Sequence, residues 1–209
     1  MRTLTFCLIL TALLGAPQSS RAEDRVLLVV PDGSRALGMM LREEVGVMRA
    51  MLEEAGFAVA IATATDAALV DGSTRLEPTV LLADVDVSEY VGVLLPCMAP
   101  APGTPQPAAI DAIVQAAHAA GLPLAASRGS VAFLARAGAL DGRAYAYASP
   151  VDPSERPEFA AGRYLGTTVA SSDGVSTAGI CPLASRSLDE PDGTETLTRA
   201  FLRTLGVDA

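Results

Sequence analysis

Short, uninterrupted apolar runs alternate with amphipathic helical patterns along this chain, and this alternation most constrains its fold. The runs have the length of strands and occupy residues 26–30, 58–62, 91–95 and 122–126. Strands that are buried on both faces have this composition, which is typical of a parallel sheet covered by helices. Helical periodicity between the runs predicts helices over 37–55 and 107–120. Gly56 and Gly121 follow these helices, at the position where glycine commonly ends a helix.

The rest of the chain fits one α/β domain of this kind. Its length of 209 residues and its 50% apolar composition are sufficient for one sizeable core. The sequence has no internal repeat and no evident linker. Four further segments are assigned from their patterns: a loop or small hairpin over 71–89, an irregular stretch over 149–157, strands over 164–170 and 175–180 around the turn 172–174, and a last helix over 194–205.

The N-terminus has the pattern of a secretory signal. Arg2 supplies the positive charge, residues 6–16 form a short apolar run, and Ser20-Arg21-Ala22 is a small-x-small cleavage site. The run is too short to span a bilayer comfortably, although an uncleaved membrane anchor is the alternative. We therefore predict a signal peptide over 1–22 and a single domain over 23–209. The mature protein is expected in the periplasm or outside the cell, without stable membrane association.

Charge and residue usage exclude several functions. The net charge is −9 and no basic cluster occurs, which argues against nucleic acid as a partner. The sequence contains no lysine and no asparagine, so a lysine Schiff base and an asparagine-containing triad are excluded. No Cys/His cluster predicts zinc, and Asp84, Asp86 and Glu89 lack the spacing of a calcium site. The segment 33–38 lacks the glycine spacing of a dinucleotide site. We expect no metal and no cofactor.

A sharp strand-to-helix junction points to Ser127. The predicted strand over 122–126 passes through Ser127-Arg128-Gly129-Ser130 directly into an apolar helix over 131–137. A buried strand that turns into a helix in this way forms a nucleophile elbow, which presents one side chain at the positive end of the helix dipole. Ser127 is the residue predicted to be presented. The alternative is that Ser127 is an ordinary N-cap serine.

Glu44 lies within the apolar face of the first predicted helix. A carboxylate in such a place is costly unless it is paired, protonated or facing a pocket. A raised pKa there would suit proton transfer, so Glu44 is a candidate acid/base. The alternative is a glutamate at the edge of the face that reaches solvent. The apolar face consists of Leu37, Leu41, Val45, Met48, Leu52 and Ala55.

Taken together, these features resemble the ThiJ/PfpI family of the class I glutamine amidotransferase-like superfamily. The resemblance covers about residues 25–147 and, more weakly, the last helix. It implies a flavodoxin-like three-layer sandwich, in which helices cover both faces of a mostly parallel sheet, and a homodimer is implied by the family's habit of dimerising. The landmarks are the strand 26–30, Glu44 twelve residues before Gly56, the strand 91–96, the elbow 125–129, and the segment 132–142.

The chain departs from the family at the residues that carry its chemistry. The family's reactive elbow cysteine corresponds to Ser127, its glycine pair to Cys97-Met98, and the histidine that follows the cysteine in several members to Arg128. A helix N-terminus can lower the pKa of a thiol into the physiological range, but a hydroxyl needs an adjacent base. His118, the only histidine, is expected at the rim or the surface. The ordinary thiol mechanism is therefore not available at position 127.

Two cysteines remain once the predicted signal, which contains Cys7, is removed. The resemblance places Cys97 at the pocket, together with Met98, Arg128 and Gly129. It places Cys181 near a loop that borders the pocket. An even pair in an exported protein permits a disulfide, and we predict a Cys97–Cys181 bond. Two buried free thiols are the alternative.

These residues leave two functions open, and the family's habit of dimerising leaves a third, a structural or interaction role. The first is a divergent binding or non-catalytic member of the family, which keeps a small-molecule pocket around Glu44 and Ser127. The second is a hydrolase or an aldehyde- or amide-processing enzyme, glyoxalase-like or amidase-like. This enzyme would use Ser127 or Cys97 with Glu44 as its acid/base.

Overall fold

The structure is a computed structural model that describes residues 24–34, 36–100, 103–148 and 152–208. The predicted signal peptide over 1–22 lies outside these residues. No helix in the described ranges has the length and apolar character needed to cross a bilayer. The strands are β1 (Arg25–Val29), β2 (Ala58–Thr63), β3 (Leu69–Asp71), β4 (Thr74–Leu76), β5 (Val80–Leu81), β6 (Gly92–Leu95), β7 (Leu124–Ser127), β8 (Ala144–Tyr145), β9 (Arg163–Tyr164), β10 (Val169–Ser172) and β11 (Val175–Ala178).

The helices surround these strands. One π-helical turn, Leu41–Val45, separates the first two α-helices, so that the three segments follow one another directly along the chain. Short 3-10 turns occur in several loops. The α-helices are α1 (Leu37–Met40), α2 (Gly46–Glu54), α3 (Gln106–Ala119), α4 (Val131–Arg136), α5 (Pro182–Leu188) and α6 (Thr194–Thr204).

A seven-stranded sheet forms the centre of the fold, with the order β10-β11-β7-β6-β1-β2-β5. Every pairing in it is parallel except that of β10 with β11. When the two-residue edge strand β5 is left out, the parallel strands β1, β2, β6, β7 and β11, counted along the chain, have the flavodoxin-like order 2-1-3-4-5. The order reverses between β1 and β6, and open α/β sheets bind ligands at this kind of switch point.

Two separate apolar cores lie on the two faces of the sheet. Alternate residues of a strand point to opposite faces, so β1 sends Leu27 and Val29 into one core and Val26 and Leu28 into the other. Helices α3 and α4 close the first core, while α1, α2 and α6 close the second. This explains the uninterrupted apolar runs in the sequence, since both faces of each central strand are buried. The predicted three-layer α/β sandwich is confirmed.

The elements differ from the prediction mainly near the C-terminus. The predicted strand over 164–170 is wrong in its first part, because β9 pairs with β8 in a separate two-stranded sheet and β10 begins only at Val169. Helix α5 was not predicted, since its seven residues are too few to show a clear period. The small hairpin expected within 71–89 is β3–β4, which begins slightly earlier, at Leu69.

Gly179 allows the segment after β11 to approach the loop before β10 closely. A Cβ atom at Gly179 would lie 2.6 Å from the carbonyl oxygen and 2.7 Å from the Cα of Thr167. We expect Gly179→Ala to lower the free energy of unfolding by about 1–3 kcal/mol, because the backbone must shift to relieve the overlap. Denaturant titration followed by circular dichroism measures this change.

Gly129→Ala is the matched control for this prediction. No atom lies within 4 Å of a Cβ placed at Gly129, so its free energy of unfolding should stay within about 0.5 kcal/mol of the wild type. Equal stability of the two alanine variants would contradict the close approach described at Gly179.

Candidate functional site

A cleft of about 760 Å³ opens at the carboxyl ends of the strands. Its walls come from the segments after β1 and β6, from the β7–α4 junction, and from the loop after β8. The first two segments flank the switch point of the sheet, so the cleft lies where ligands bind in this architecture. The lining residues include Gly33 and Ser34, the run Cys97, Met98, Ala99 and Pro100, then Arg128, Gly129, Phe133, Tyr147, Ala148, Arg156 and Leu183.

The π-helical turn between α1 and α2 carries Glu44. A π turn inserts an extra residue into a helix and is frequent at functional sites. Here the turn buries Glu44 completely, at 0% exposure. The alternative in which Glu44 reaches solvent at the edge of the helix is therefore wrong.

The Glu44 carboxyl lies beneath the cleft floor. Its Oε2 accepts a hydrogen bond of 2.9 Å from the backbone N–H of Cys97. Burial raises the pKa of Glu44 well above its ordinary value of 4.5, and the nearby Cys181 adds to this rise. The Ser127 hydroxyl and the Cys97 N–H lower the pKa, but less than burial raises it. The environment therefore favours the neutral acid.

Ser127 is the last residue of β7 and lies beside Glu44. Its side chain is 0% exposed, and it makes no capping hydrogen bond to the turn that follows. The Ser127 hydroxyl is close enough to influence the Glu44 carboxyl. However, neither Ser127 Oγ nor Glu44 Oε1 has a well-formed hydrogen bond to another described residue. The structure thus brings the two predicted residues together below the cleft and not on its wall.

The apex of the strand-to-helix turn is Arg128 and not Ser127. Ser127 has an extended backbone, with φ of −107° and ψ of 131°. Arg128 has φ of 43°, in the left-handed region that residues other than glycine rarely occupy. The elbow predicted from the sequence therefore exists, but it is displaced by one residue, so that Arg128 and not Ser127 lines the cleft.

A buried hydrogen bond holds the two neighbouring loops together. The Ser130 hydroxyl, at the start of the helix after β7, donates to the Pro96 carbonyl after β6 over 2.6 Å. The N–H of Met98 donates to the same carbonyl over 2.7 Å. These bonds fix the loop that carries Cys97 against the β7–α4 junction.

Cys97 and Cys181 are brought together as two thiols and not as the predicted disulfide. Hydrogen bonding between their sulfur groups raises the pKa of Cys97 and lowers the pKa of Cys181 to about 7. The backbone N–H groups of Ala184 and Leu183 and the charge of Arg128 also lower the pKa of Cys181. Cys181 is fully buried, whereas Cys97 lines the cleft. The covalent bond remains a prediction, and the two thiols lie within hydrogen-bonding reach of each other.

The cleft wall combines two arginines with apolar groups. Arg156 forms an ion pair with Glu158 and donates to the Tyr147 hydroxyl over 3.3 Å. Its guanidinium also lies 5.0 Å from the ring centroid of Phe159. Arg128 has no carboxylate within salt-bridge distance among the described residues. The sequence analysis missed Arg156 and Tyr147, since they lie in or next to an irregular stretch with no periodic signal.

The remaining sequence predictions concern histidine and metals. His118 lies half-buried on α3 and is not among the residues that line the cleft. In the described part of the chain, no group of three or more His, Cys, Asp or Glu side chains is placed to hold a metal ion.

Comparison with solved structures identifies the fold. A ThiJ/PfpI domain protein from Brachyspira murdochii gives a TM-score of 0.65 at 14% identity, over 87% of this chain and 96% of that chain. A DJ-1 superfamily protein from Agrobacterium tumefaciens gives 0.64 at 14% identity, over 89% and 92%. A two-domain protein from Anabaena variabilis, with DJ-1/ThiJ/PfpI-like and ferritin-like domains, gives 0.61 at 18% identity over 88% of this chain. This chain spans 48% of that protein.

The protein therefore has a flavodoxin-like α/β fold with a cleft at the switch point. More particularly, the fold is that of ThiJ/PfpI and DJ-1 superfamily structures, as the sequence resemblance predicted. No sequence profile of a known family matches the chain, and no curated protein matches it. At these identities the similarity shows the fold, and the function must be argued from the site.

The buried acid predicts an unusual pH dependence of stability for Glu44→Gln. Glutamine keeps the size of the side chain and an oxygen that can accept from Cys97. Below pH 4.5, the ordinary pKa of the group, Glu44 is protonated in both the folded and the unfolded chain. As the pH rises, the unfolded chain releases this proton and the folded protein retains it, so the wild type loses stability. The free energy of unfolding of Glu44→Gln, relative to that of the wild type, should therefore rise by about 1.4 kcal/mol per pH unit until the pH passes the folded-state pKa of Glu44.

Denaturant titration at pH 5.5, 6.5 and 7.5, a series chosen at roughly one-unit steps, measures this difference. Glu54→Gln is the control, because Glu54 lies exposed on α2 and its variant should show no such trend. A gain for Glu44→Gln that stays constant over the series would show that Glu44 is ionised in the folded protein.

Proposed function

We propose that this protein is an exported small-molecule-binding protein with a ThiJ/PfpI-like fold that has lost the elbow chemistry of that family. One observation carries the proposal. The apex of the elbow is Arg128, and the Ser127 hydroxyl, which the sequence resemblance aligns with the reactive sulfur, is fully buried and is not among the groups that line the cleft. A ligand in the cleft therefore meets Cys97 and Arg128 and does not meet Ser127.

The protonation of Glu44 supports this proposal. A serine hydroxyl becomes nucleophilic only when an adjacent base removes its proton. Burial holds the neighbouring carboxyl toward its neutral form, and a neutral carboxyl cannot act as that base. No histidine lines the cleft, since His118 lies elsewhere on α3. Ser127 thus lacks both access to a substrate and a partner that would activate it.

The cleft has the properties of a binding site. Its volume of about 760 Å³ lies in the range of roughly 300–1,000 Å³ that is typical of small-molecule pockets. Apolar side chains, among them Phe133 and Leu183, line it together with a few polar groups. Such a wall buries the body of a ligand, and the polar groups orient it.

One observation favours the alternative, an enzyme that uses a cysteine. Cys97 lines the cleft, and its sulfur contacts Cys181. However, the thiolate is the reactive form of cysteine, and the contact raises the pKa of Cys97 while it lowers that of Cys181. The thiol whose pKa is lowered is thus that of Cys181, which is 0% exposed. The thiol that a ligand can reach is therefore not the thiol with the lowered pKa, and this favours binding over catalysis.

Active-site probes distinguish the two functions. The wild type, Ser127→Ala and Cys97→Ala are treated with a fluorophosphonate serine probe and a maleimide thiol probe, and labelled residues are located by peptide mass spectrometry. We expect no serine labelling at Ser127, because the hydroxyl is buried. Methylglyoxal turnover should be absent from all three proteins.

Two results would overturn the proposal of binding without catalysis. The first is a fluorophosphonate adduct on Ser127. The second is methylglyoxal turnover that disappears in Ser127→Ala or Glu44→Gln. Either result would assign the site to a hydrolase or an aldehyde-processing enzyme.

Export leads to a further prediction for the cysteine pair. In an oxidising compartment the two adjacent thiols are expected to form the Cys97–Cys181 disulfide. We expect native material purified from the compartment to take up no iodoacetamide at these residues until it is reduced, after which both are alkylated. Intact-mass spectrometry before and after reduction measures this uptake.

Cys181→Ser is the control. Cys97 has no disulfide partner in this variant, so iodoacetamide should alkylate it before any reduction. Two alkylated cysteines in native, unreduced wild type would contradict the disulfide.

The N-terminus of the mature protein tests the predicted signal cleavage. A mature N-terminus that lies far from residue 23 would contradict it.

A further inference from the structure

We propose that the cleft binds a small organic carboxylate with an apolar body, and that the Arg128 guanidinium recognises the carboxylate group. The inference rests on the proposed function and names the chemical class of its ligand. It is carried by the charge of the cleft wall, by the backbone of Arg128 and by the apolar surface opposite it.

The cleft wall is positive in an acidic protein. The whole chain has a net charge of −9, yet the described residues that line the cleft include two arginines and no aspartate or glutamate. The charge of Arg156 is matched by its ion pair with Glu158. Arg128 has no carboxylate partner among the described residues, so its charge is the one left for an anionic ligand.

The backbone of Arg128 supports a functional role. A non-glycine residue with φ of 43° costs on the order of 1–3 kcal/mol, and such residues cluster at ligand sites. Glycine would occupy this position without that cost. The residue at this strained turn is nevertheless an arginine. The planar guanidinium group of arginine can donate two parallel hydrogen bonds to one carboxylate.

The neighbouring cysteine does not occupy the same space. Cys181 lies near enough for the charge of Arg128 to act on it, but it is fully buried. Arg128 is half-buried and lines the cleft. A ligand in the cleft can therefore reach Arg128 without displacing Cys181, and a Cys97–Cys181 disulfide would leave Cys181 without any charge.

The wall around the guanidinium selects the rest of the ligand. Phe133, Tyr147 and Leu183 present aromatic and aliphatic surface to the same cleft. Burying apolar surface against them contributes about 25 cal/mol per Å², whereas a free inorganic anion would gain none of this energy. One unpaired guanidinium also balances a single negative charge, which suits a carboxylate better than a phosphate dianion.

Matched acids and amides test the inference. Isothermal titration calorimetry is carried out with benzoate and benzamide, phenylacetate and phenylacetamide, and naphthoate and naphthamide, with inorganic phosphate as a further probe. The proteins are the wild type, Arg128→Gln, Arg128→Gly and Arg199→Gln. Arg199 is an exposed arginine of α6, so its variant makes the same change in net charge away from the cleft.

We expect a wild-type preference for the acids over their amides. Loss of a charge-assisted bidentate contact should weaken binding of the preferred acid about 10-fold or more in both Arg128 variants. Affinity for the amide should be unchanged, and Arg199→Gln should bind both as the wild type does. Arg128→Gly should melt at or above the wild-type temperature because it relieves the backbone strain, which separates lost recognition from lost folding.

The outcomes separate this inference from the proposed function. Amides that bind as tightly as acids, or acid binding that survives in Arg128→Gln, would overturn carboxylate recognition and leave a small-molecule site. Phosphate that binds more tightly than every carboxylate would overturn the ligand class. Absence of binding by all the acids and amides would contradict the proposed function itself.

Discussion

The hydrogen bond between the Cys97 N–H and the buried Glu44 carboxyl is the interaction on which the site depends. It joins the π-helical turn on one face of the sheet to the loop that follows β6. A buried carboxyl is tolerated only when it is hydrogen-bonded or protonated, and here burial favours the protonated form. This bond fixes Cys97 on the cleft floor. The Ser130 hydroxyl then holds the same loop against the start of α4, so the floor and the elbow are connected.

This arrangement changes the chemistry that the fold can support. A thiol at the sharp turn could use the helix N-terminus to become a nucleophile, but Ser127 lies fully buried at the end of its strand. The strained residue at the apex is Arg128, which contributes a fixed positive charge and no nucleophile. The site therefore combines a buried acid with a raised pKa below the floor, a thiol pair beside it and a cation on the wall. This set of groups is the basis of the proposal that the site recognises a ligand and does not attack it covalently.

The sequence predicted the site residues better than it predicted their geometry. Glu44 stood out because a carboxylate on an apolar helix face must be explained, and it is buried as that reasoning requires. Ser127 lies next to Glu44 in the structure, but the apex of the turn is one residue later than predicted, at Arg128. Periodicity gives the approximate end of a strand, whereas backbone dihedrals decide which residue turns the chain. Tyr147 and Arg156 had no local pattern, and only the packing of the loop after β8 brings them to the cleft.

The sequence by itself determined the layers of this protein. Uninterrupted apolar runs require strands buried on both faces, and the helical periods between them supply the covering layers. It also showed that residues 125–129, where the resemblance places the elbow, contain no cysteine. Only the tertiary structure decided which groups meet: that Cys97 contacts Cys181, that Glu44 bonds to Cys97, and that Arg128 faces the cleft. The physical reason is that layer composition is a local property of each segment, whereas a site is formed by distant segments that only sheet order and packing bring together.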